Sequence, residues 1–186
     1  MTTEEFTIES FYRVDEELSD VPKHSQARLY PSEVITLAFL FALKGVGNRA
    51  FYRWLQRDFR HLFPALLERP RLFRLFRSHA NLTERFMATP SVFGVIDSYD
   101  VELIHPIREG RSARQVGRKG LSNRRWIVGG KLCLLLYQDG LVVAWECATA
   151  NVSDVHFQPL IKRFEEEMIV LADTGFHAKA GDPDNL

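Results

Sequence analysis

The chain of 186 residues is poor in cysteine, in net charge and in long apolar runs, and each shortage excludes something. Two cysteines, Cys133 and Cys147, with no histidine at zinc-ligand spacing, exclude a disulfide framework and a structural zinc site. The longest apolar run, Val34 to Leu43, is broken by Thr36. It reaches about half of the ~20 residues needed to cross a bilayer, so it predicts a buried helix and no membrane partner. The N-terminus lacks the charged-then-apolar order of a secretory signal, and a cytoplasmic protein is expected. Basic and acidic residues balance at 24 each, so the total charge favours no class of ligand. No repeat or low-complexity tract is evident.

What is present is a core. Apolar residues make up 46% of the chain and 14 of them are Phe, which is a globular composition. Charge is also unevenly placed. Residues 1–20 hold seven acids against Arg13 alone. Residues 108–131 hold Arg108, Arg111, Arg114, Arg118, Lys119, Arg124, Arg125 and Lys131 against Glu109 alone. A polyanion is attracted to the second segment and repelled by the first, which makes these eight bases candidate phosphate contacts. A solvated loop is the competing reading of the same stretch, supported by Ser112, Gly117, Gly120 and Ser122.

The periodicity divides the chain at about residue 90. Residues 1–90 read as helices: about 4–18, then Pro31 to Leu43 with Ser32 as the cap and Gly45 and Gly47 as stops, then Asn48 to Phe59, then Pro70 to His79. In the third of these, Phe51, Trp54, Leu55 and Phe59 form one apolar stripe, while Arg49, Arg53, Arg57 and Arg60 fall elsewhere. Short helices with arginines outside fit either a helix-turn-helix-like DNA reader or an ordinary bundle with solvated arginines.

From Ser91 the period changes. Val92 to Asp97 and Met168 to Asp173 are short runs of β-branched and aliphatic residues, each ending in an aspartate, and read as buried strands. Tyr99 to Arg125 reads as a long loop or as a segment that orders on binding. Gly130 to Gln138 and Leu141 to Ala148 flank Asp139-Gly140, a strong two-residue hairpin signal. That register faces Lys131 with Ala148 and Cys133 with Glu146, and sends Cys133 and Cys147 to opposite sides. A helix over Val155 to Glu166, capped by Asp154, completes the order strand, strand, strand, helix, strand. A carboxylate held where a strand surfaces is a suitable ligand for a hard divalent cation. The competing view is that both aspartates are ordinary turn residues.

These landmarks carry a resemblance. Ile96-Asp97-Ser98, the arginine-rich gap, Gly129-x-Lys131-Leu132, the Asp139-Gly140 hairpin, Thr149-x-Asn151-x-x-Asp154 and Leu171-Ala172-Asp173-x-Gly175-Phe176 together resemble bacterial insertion-sequence transposases of the DDE type. Ser32-Glu33-Val34-Ile35-Thr36-Leu37 and Leu62-Phe63-Pro64 resemble their N-terminal helical region. The resemblance implies a helical region over 1–90, a candidate DNA binder, followed over 91–186 by an incomplete ribonuclease H-like mixed sheet. It implies that Asp97 and Asp173 are catalytic and bind Mg²⁺ or Mn²⁺. The implied partners are DNA, at element ends and at the target, and other transposase chains, as a homo-oligomer or as the full-length enzyme.

The chain also departs from the pattern. The family's third carboxylate, a Glu on a later helix, has no counterpart after Asp173, where only Asp182 and Asp184 follow. Gly130 and Cys133 replace an aromatic residue and a histidine, and Thr174 replaces a lysine. The expectation is therefore a truncated transposase with little activity alone. Its alternatives are a non-catalytic DNA-binding remnant or inhibitor, and another ribonuclease H-like nuclease using Asp100, Glu102 or Asp154 as its third carboxylate.

Overall fold

The computed structural model describes residues 1–122 and 125–186. It is a mixed α and β protein that divides into two compact units, Met1–Phe86 and Met87–Leu186. Among the described residues no single helix is long and apolar enough to cross a membrane.

The first unit is helical. Helix α1 (Thr3–Glu17) starts on a reciprocal cap: the Glu5 amide donates to Thr2 Oγ1 (3.1 Å), and the Thr2 amide donates to Glu5 Oε2 (2.7 Å). Helix α2 (Pro31–Lys44) begins one residue before the expected cap. Ser32 lies buried inside the first turn, and the Tyr30 amide is satisfied instead by Glu33 Oε2 (2.7 Å). Pro31 suits this first position because it has no N–H to leave unpaired. The helix ends at Gly45, whose φ of +61° favours a residue without a Cβ. Helix α3 (Asn48–Asp58) follows after a three-residue turn, at 116° to α2, and α4 is Arg69–Ser78. Aromatic rings lock these three helices together. Phe41 of α2 meets Phe51 of α3 at 5.1 Å and Phe73 of α4 at 5.0 Å between ring centroids. Val14 and Leu18 pack with Ile35 in a second cluster that joins α1 to α2.

The second unit is a five-stranded mixed sheet: β1 (Phe93–Ile104), β2 (Arg118–Ser122), β3 (Arg125–Tyr137), β4 (Val142–Thr149) and β5 (Ile169–Leu171). Strand β3 pairs antiparallel with β1 on one side. Its other side takes β2 along Arg125–Gly129 and β4 along Gly130–Leu136. Strand β5 lies parallel to β1, with Phe93 opposite Ile169 and Val95 opposite Leu171. Between β4 and β5 the chain crosses over through a 3₁₀ turn, Asp154–Phe157, and α5 (Gln158–Lys162). This segment is the helix expected over 155–166, shortened and tightened. Pro159 cannot donate to a preceding carbonyl, so regular helix starts beside it.

Three sequence expectations are corrected here. The segment 99–125 is not a long loop. Strand β1 runs on through Asp97 to Ile104, Pro106–Arg108 forms a 3₁₀ turn and β2 follows. Tyr99, Val101 and Leu103 alternate with polar residues, a period-two signal hidden by the arginines beyond it. The hairpin loop holds three residues rather than two. The Gly140 amide donates to Tyr137 O (2.8 Å), Gly140 has φ +82°, and Tyr137 N donates to Leu141 O (3.0 Å). A bulge then restores the expected register, so Lys131 still faces Ala148 and Cys133 still faces Glu146. Val143 and Ala144, consecutive at the bulge, are both buried. Finally, Asp154 does not cap the crossover helix by its side chain; Ser153 holds the N-cap position.

The core covers one face of the sheet. Ile96, Cys133, Leu135, Ala144 and Val170 pack under Phe157, Leu160, Ile161, Met168 and Phe176. The opposite face presents Val95, Tyr99, Leu103, Trp145 and Leu171 to solvent. The free side of β5 is covered by residue 185: Val170 N donates to Asn185 O (2.7 Å), and Asn185 Nδ2 donates to Ile161 O and Met168 O (3.0 Å each).

Gly129 sits where β1 and β3 approach closely, and a Cβ there would run into the Val101 carbonyl. Gly129→Ala is expected to destabilise the sheet unit by about 2–3 kcal/mol, the cost of overpacking a rigid contact. Denaturant unfolding followed by circular dichroism measures it, and an unchanged midpoint would contradict the close approach.

Candidate active site

The parallel register of β1 and β5 sets the site. Val95 lies opposite Leu171, and an aspartate follows each two residues further on, Asp97 within β1 and Asp173 past the end of β5. Neighbouring strands stand about 4.8 Å apart, and both aspartates follow directly on the last paired residues of this register. Asp97 is not at the end of its strand but in the middle of β1, on the solvent-facing side shared with Val95 and Tyr99. Strand β5 has ended by this level, which leaves that flank of β1 open. Asp97 Oδ1 accepts from the following amide, Ser98 N (2.7 Å). Asp173 leaves β5 with extended backbone and caps the short 3₁₀ turn Thr174–Phe176, with Oδ1 accepting from Gly175 N (2.8 Å). Each aspartate thus has one oxygen fixed by a backbone amide. Among the described residues neither forms an ion pair.

A third carboxylate stands close by. Asp154 Oδ1 accepts from Ser98 Oγ (2.5 Å) and from Lys131 Nζ (3.0 Å). A Cβ on Gly175 would stand 3.0 Å from Asp154 Oδ2 and 3.0 Å from Asp173 Oδ1, so the two oxygens are separated by no more than twice that distance. Gly175 keeps the space between them clear. Asp100, expected beyond the strand, lies within β1 opposite Lys131, and its Oδ1 is buried without a hydrogen-bond partner among the described residues. Glu102 pairs with Arg125 (3.2 Å). The structure therefore brings Asp173 and Asp154 together. It sets Asp97 on the neighbouring strand, keeps Asp100 on the side of β1 shared with Ser98 and opposite Lys131, and pairs Glu102 with Arg125.

Among the described residues no three His, Cys, Asp or Glu side chains enclose a metal ion. The donor chemistry still suits a hard cation. Mg²⁺ keeps most of its waters and is held by one or two carboxylates together with substrate phosphate oxygens, so a closed cage is not required. Asp97 and Asp173 each retain an oxygen with no protein donor among the described residues.

The basic segment is divided by the fold. Arg108, Arg111, Arg114 and Arg118 are exposed and unpaired among the described residues. Lys119 lies 3.8 Å from Glu109 and over the Trp126 ring, and Arg125 is paired with Glu102. With Ser112, Gln115 and Asn151, Arg118 and Lys119 line a polar cleft of 510 Å³. Arg124 lies outside the described residues. Lys131 departs from the others: its side chain is only 11% exposed and points to the core side with Cys133, where it pairs with Asp154. Strand alternation from Cys133 is the sequence signal for this, and it is masked when Lys131 is grouped with the surface bases. The partnership of Lys131 with Asp154 and Ser98 has no sequence signal, because the three residues come from separate elements.

Comparison of the chain with family models, curated proteins and solved structures finds no match.

The two cysteines differ as their strand positions require. Cys147 is exposed, whereas Cys133 is fully buried beneath the crossover segment. Burial, with the nearby charges of Asp154, Glu146 and Asp97, pushes the Cys133 thiol from 9.0 up to about 12, against the opposing pull of Lys131. At neutral pH one thiol, Cys147, is expected to react rapidly with a disulfide reagent, and the second only on unfolding. Because the folded value exceeds the unfolded one, this contribution to stability is intact below pH 9. It declines by about 1.4 kcal/mol per pH unit as the pH climbs towards 12. Two fast thiols in the native protein, or a Cys133→Ala variant with the same alkaline stability profile, would contradict it.

Proposed function

We propose that this protein is a DDE-type transposase whose second unit is a ribonuclease H-like catalytic domain acting on DNA phosphodiesters. The observation that supports this reading is the parallel pairing of Val95 with Leu171, each followed two residues on by an aspartate, Asp97 within β1 and Asp173 just past β5. The strand order supports it: an antiparallel β1–β3–β4 meander, a helical crossover, and then β5 returning parallel beside β1. That is the opening topology of a ribonuclease H-like sheet.

Asp97 and Asp173 would hold Mg²⁺ or Mn²⁺ through the oxygens their amide bonds leave unused. Two such cations, when bound, would supply activation of a water or a 3′-hydroxyl by one and stabilisation of the leaving oxygen by the other, for an in-line displacement. The chain's own work is positioning. The Ser98 and Gly175 amides fix one oxygen of each carboxylate, so little rotamer freedom remains to be lost when a cation binds. Arg108, Arg111, Arg114 and Arg118 offer unpaired positive charge to the phosphate backbone. The substrates are element ends and target DNA. Nicking of supercoiled plasmid by the purified protein in Mn²⁺, weak as it is expected to be for this chain alone, should drop about a hundredfold or more in Asp97→Asn and in Asp173→Asn. Nicking that persists in both well-folded variants rules this function out.

A second reading, a DNA-binding protein without catalysis, is favoured by α2 and α3. Two helices at 116°, joined by Gly45-Val46-Gly47, match the geometry of a helix-turn-helix. The solvent side of α3 carries Arg49, Arg53 and Gln56 on one face, opposite the buried Phe51 and Leu55. Arg57 is held by Asp58 (2.7 Å), so Arg49 and Arg53 are the cations of this face left to meet a phosphate. The double change Arg49→Gln with Arg53→Gln should lower the salt slope of duplex DNA binding by about 0.9 for each phosphate that is no longer neutralised. Duplex binding that survives Asp97→Asn, with a slope that falls in the double variant, would favour the binder over the enzyme. An unchanged slope would remove α3 from the interface.

A further inference from the structure

The helical unit holds a cavity that involves neither the two aspartates nor the arginines of α3. Its volume is 360 Å³, within the ~300–1,000 Å³ range of small-molecule sites. It lies between residues 21–31 and the face of α4 on which Arg71 and Leu75 stand four residues apart, with His79 just past the helix. The floor is aliphatic. Leu29, Val34 and Leu67 are buried there, and all three belong to the core cluster that α2, α3 and α4 share. Such a floor is as closely packed as the core behind it, so the cavity is preformed.

The rim is cationic. Arg28 comes from the loop and Arg71 from α4, His24 and His79 stand with them, and no carboxylate of the described residues lines the cavity. Both arginines are exposed, and neither forms an ion pair among the described residues. Arg13, Arg57 and Arg85 of the same unit are each paired with a carboxylate. Two permanently charged guanidinium groups on one cavity repel each other, and an anion that accepts hydrogen bonds from both relieves the repulsion. The loop that carries Arg28 is fixed by its own bonds. Ala27 N donates to His24 O (2.9 Å), Gln26 N donates to His24 Nδ1 (3.2 Å), and Lys23 Nζ lies 4.3 Å from the centre of the Tyr30 ring. Because His24 Nδ1 accepts from an amide, the ring hydrogen is on Nε2, which adds a further donor to the rim.

We propose that this cavity binds a small amphipathic organic anion, a carboxylate or phosphate monoester carried on an aliphatic body. Arg28 and Arg71 hold the charged head, and the aliphatic body covers Leu29, Val34 and Leu67. Inorganic phosphate lacks the part that the floor would bury, and an alcohol lacks the charge, so neither satisfies both halves of the site. The cavity belongs to the other unit from Asp97 and Asp173, and its test does not depend on their role.

The test is calorimetric titration of the full chain with octanoate and with octyl phosphate, beside butyrate, octanol and inorganic phosphate. One site per chain is expected for an octyl anion, and the tighter of the two identifies the head group. Butyrate, shorter than octanoate by four methylenes, should bind about a hundredfold more weakly. Octanol and inorganic phosphate should each bind at least about tenfold more weakly than the octyl anions. Arg28→Gln and Arg71→Gln, both at exposed positions, should each weaken binding about tenfold or more with little change in melting temperature. Arg74→Gln and Arg77→Gln remove the same charge from α4 outside the cavity and should leave binding unchanged. Binding of neither octyl anion overturns the proposal, as does inorganic phosphate binding as tightly as octyl phosphate. Equal losses in all four arginine variants, or none in Arg28→Gln and Arg71→Gln, overturn it as well.

Discussion

The pairing of β5 with β1 is the constraint on which the second unit depends. Three residues of β5 are enough to fix it, because β1 supplies a ladder already anchored along its length by β3. A parallel return beside β1 requires a crossover, and the crossover segment brings Phe157, Leu160 and Ile161 onto one face of the sheet. The core, the position of Asp154 and the placement of Asp173 all follow from that single return. A one-residue slip of β5 would turn Val170 outward, remove it from beneath Phe157, and move Asp173 off the level of Asp97.

The same arrangement explains why charge is distributed as it is. Lys131 stands on the buried side of β3, where an isolated ammonium would be costly, and Asp154 meets it there. The other bases of this stretch among the described residues stay in water. Arg108, Arg111, Arg114 and Arg118 occupy a turn, a loop and a short strand, positions with little apolar surface to bury. Among the described residues, a stretch that forms one basic block in sequence is therefore two things in space: a set of exposed bases and one largely buried lysine paired with Asp154.

Sequence signals are legible where local physics decides. The capping box of α1, the stop at Gly45 and the apolar stripe of α3 are set by neighbours within a few residues, and helices form at each of those places. The hairpin register holds although its loop is longer than the Asp139-Gly140 signal implies, because a bulge at Val143 absorbs the extra residue before Lys131 and Cys133 are reached. The signals fall silent where distant partners decide. Tyr99 to Ile104 is strand because β3 pairs with it, and Cys133 and Leu135 rather than Leu132, Leu134 and Leu136 are fully buried because α5 packs on their side.

By itself the amino-acid sequence determined which residues can form helices and strands, where the chain turns, and that two aspartates end or interrupt apolar runs. Those properties depend on backbone sterics and on apolar periodicity, both of which act over a few residues. Only the tertiary structure decided that Asp154 stands across Gly175 from Asp173, and that Lys131 leaves the basic surface to neutralise it. Contacts between residues far apart in sequence exist only once the sheet has closed, since the strand pairings that create them carry no signature in any short window.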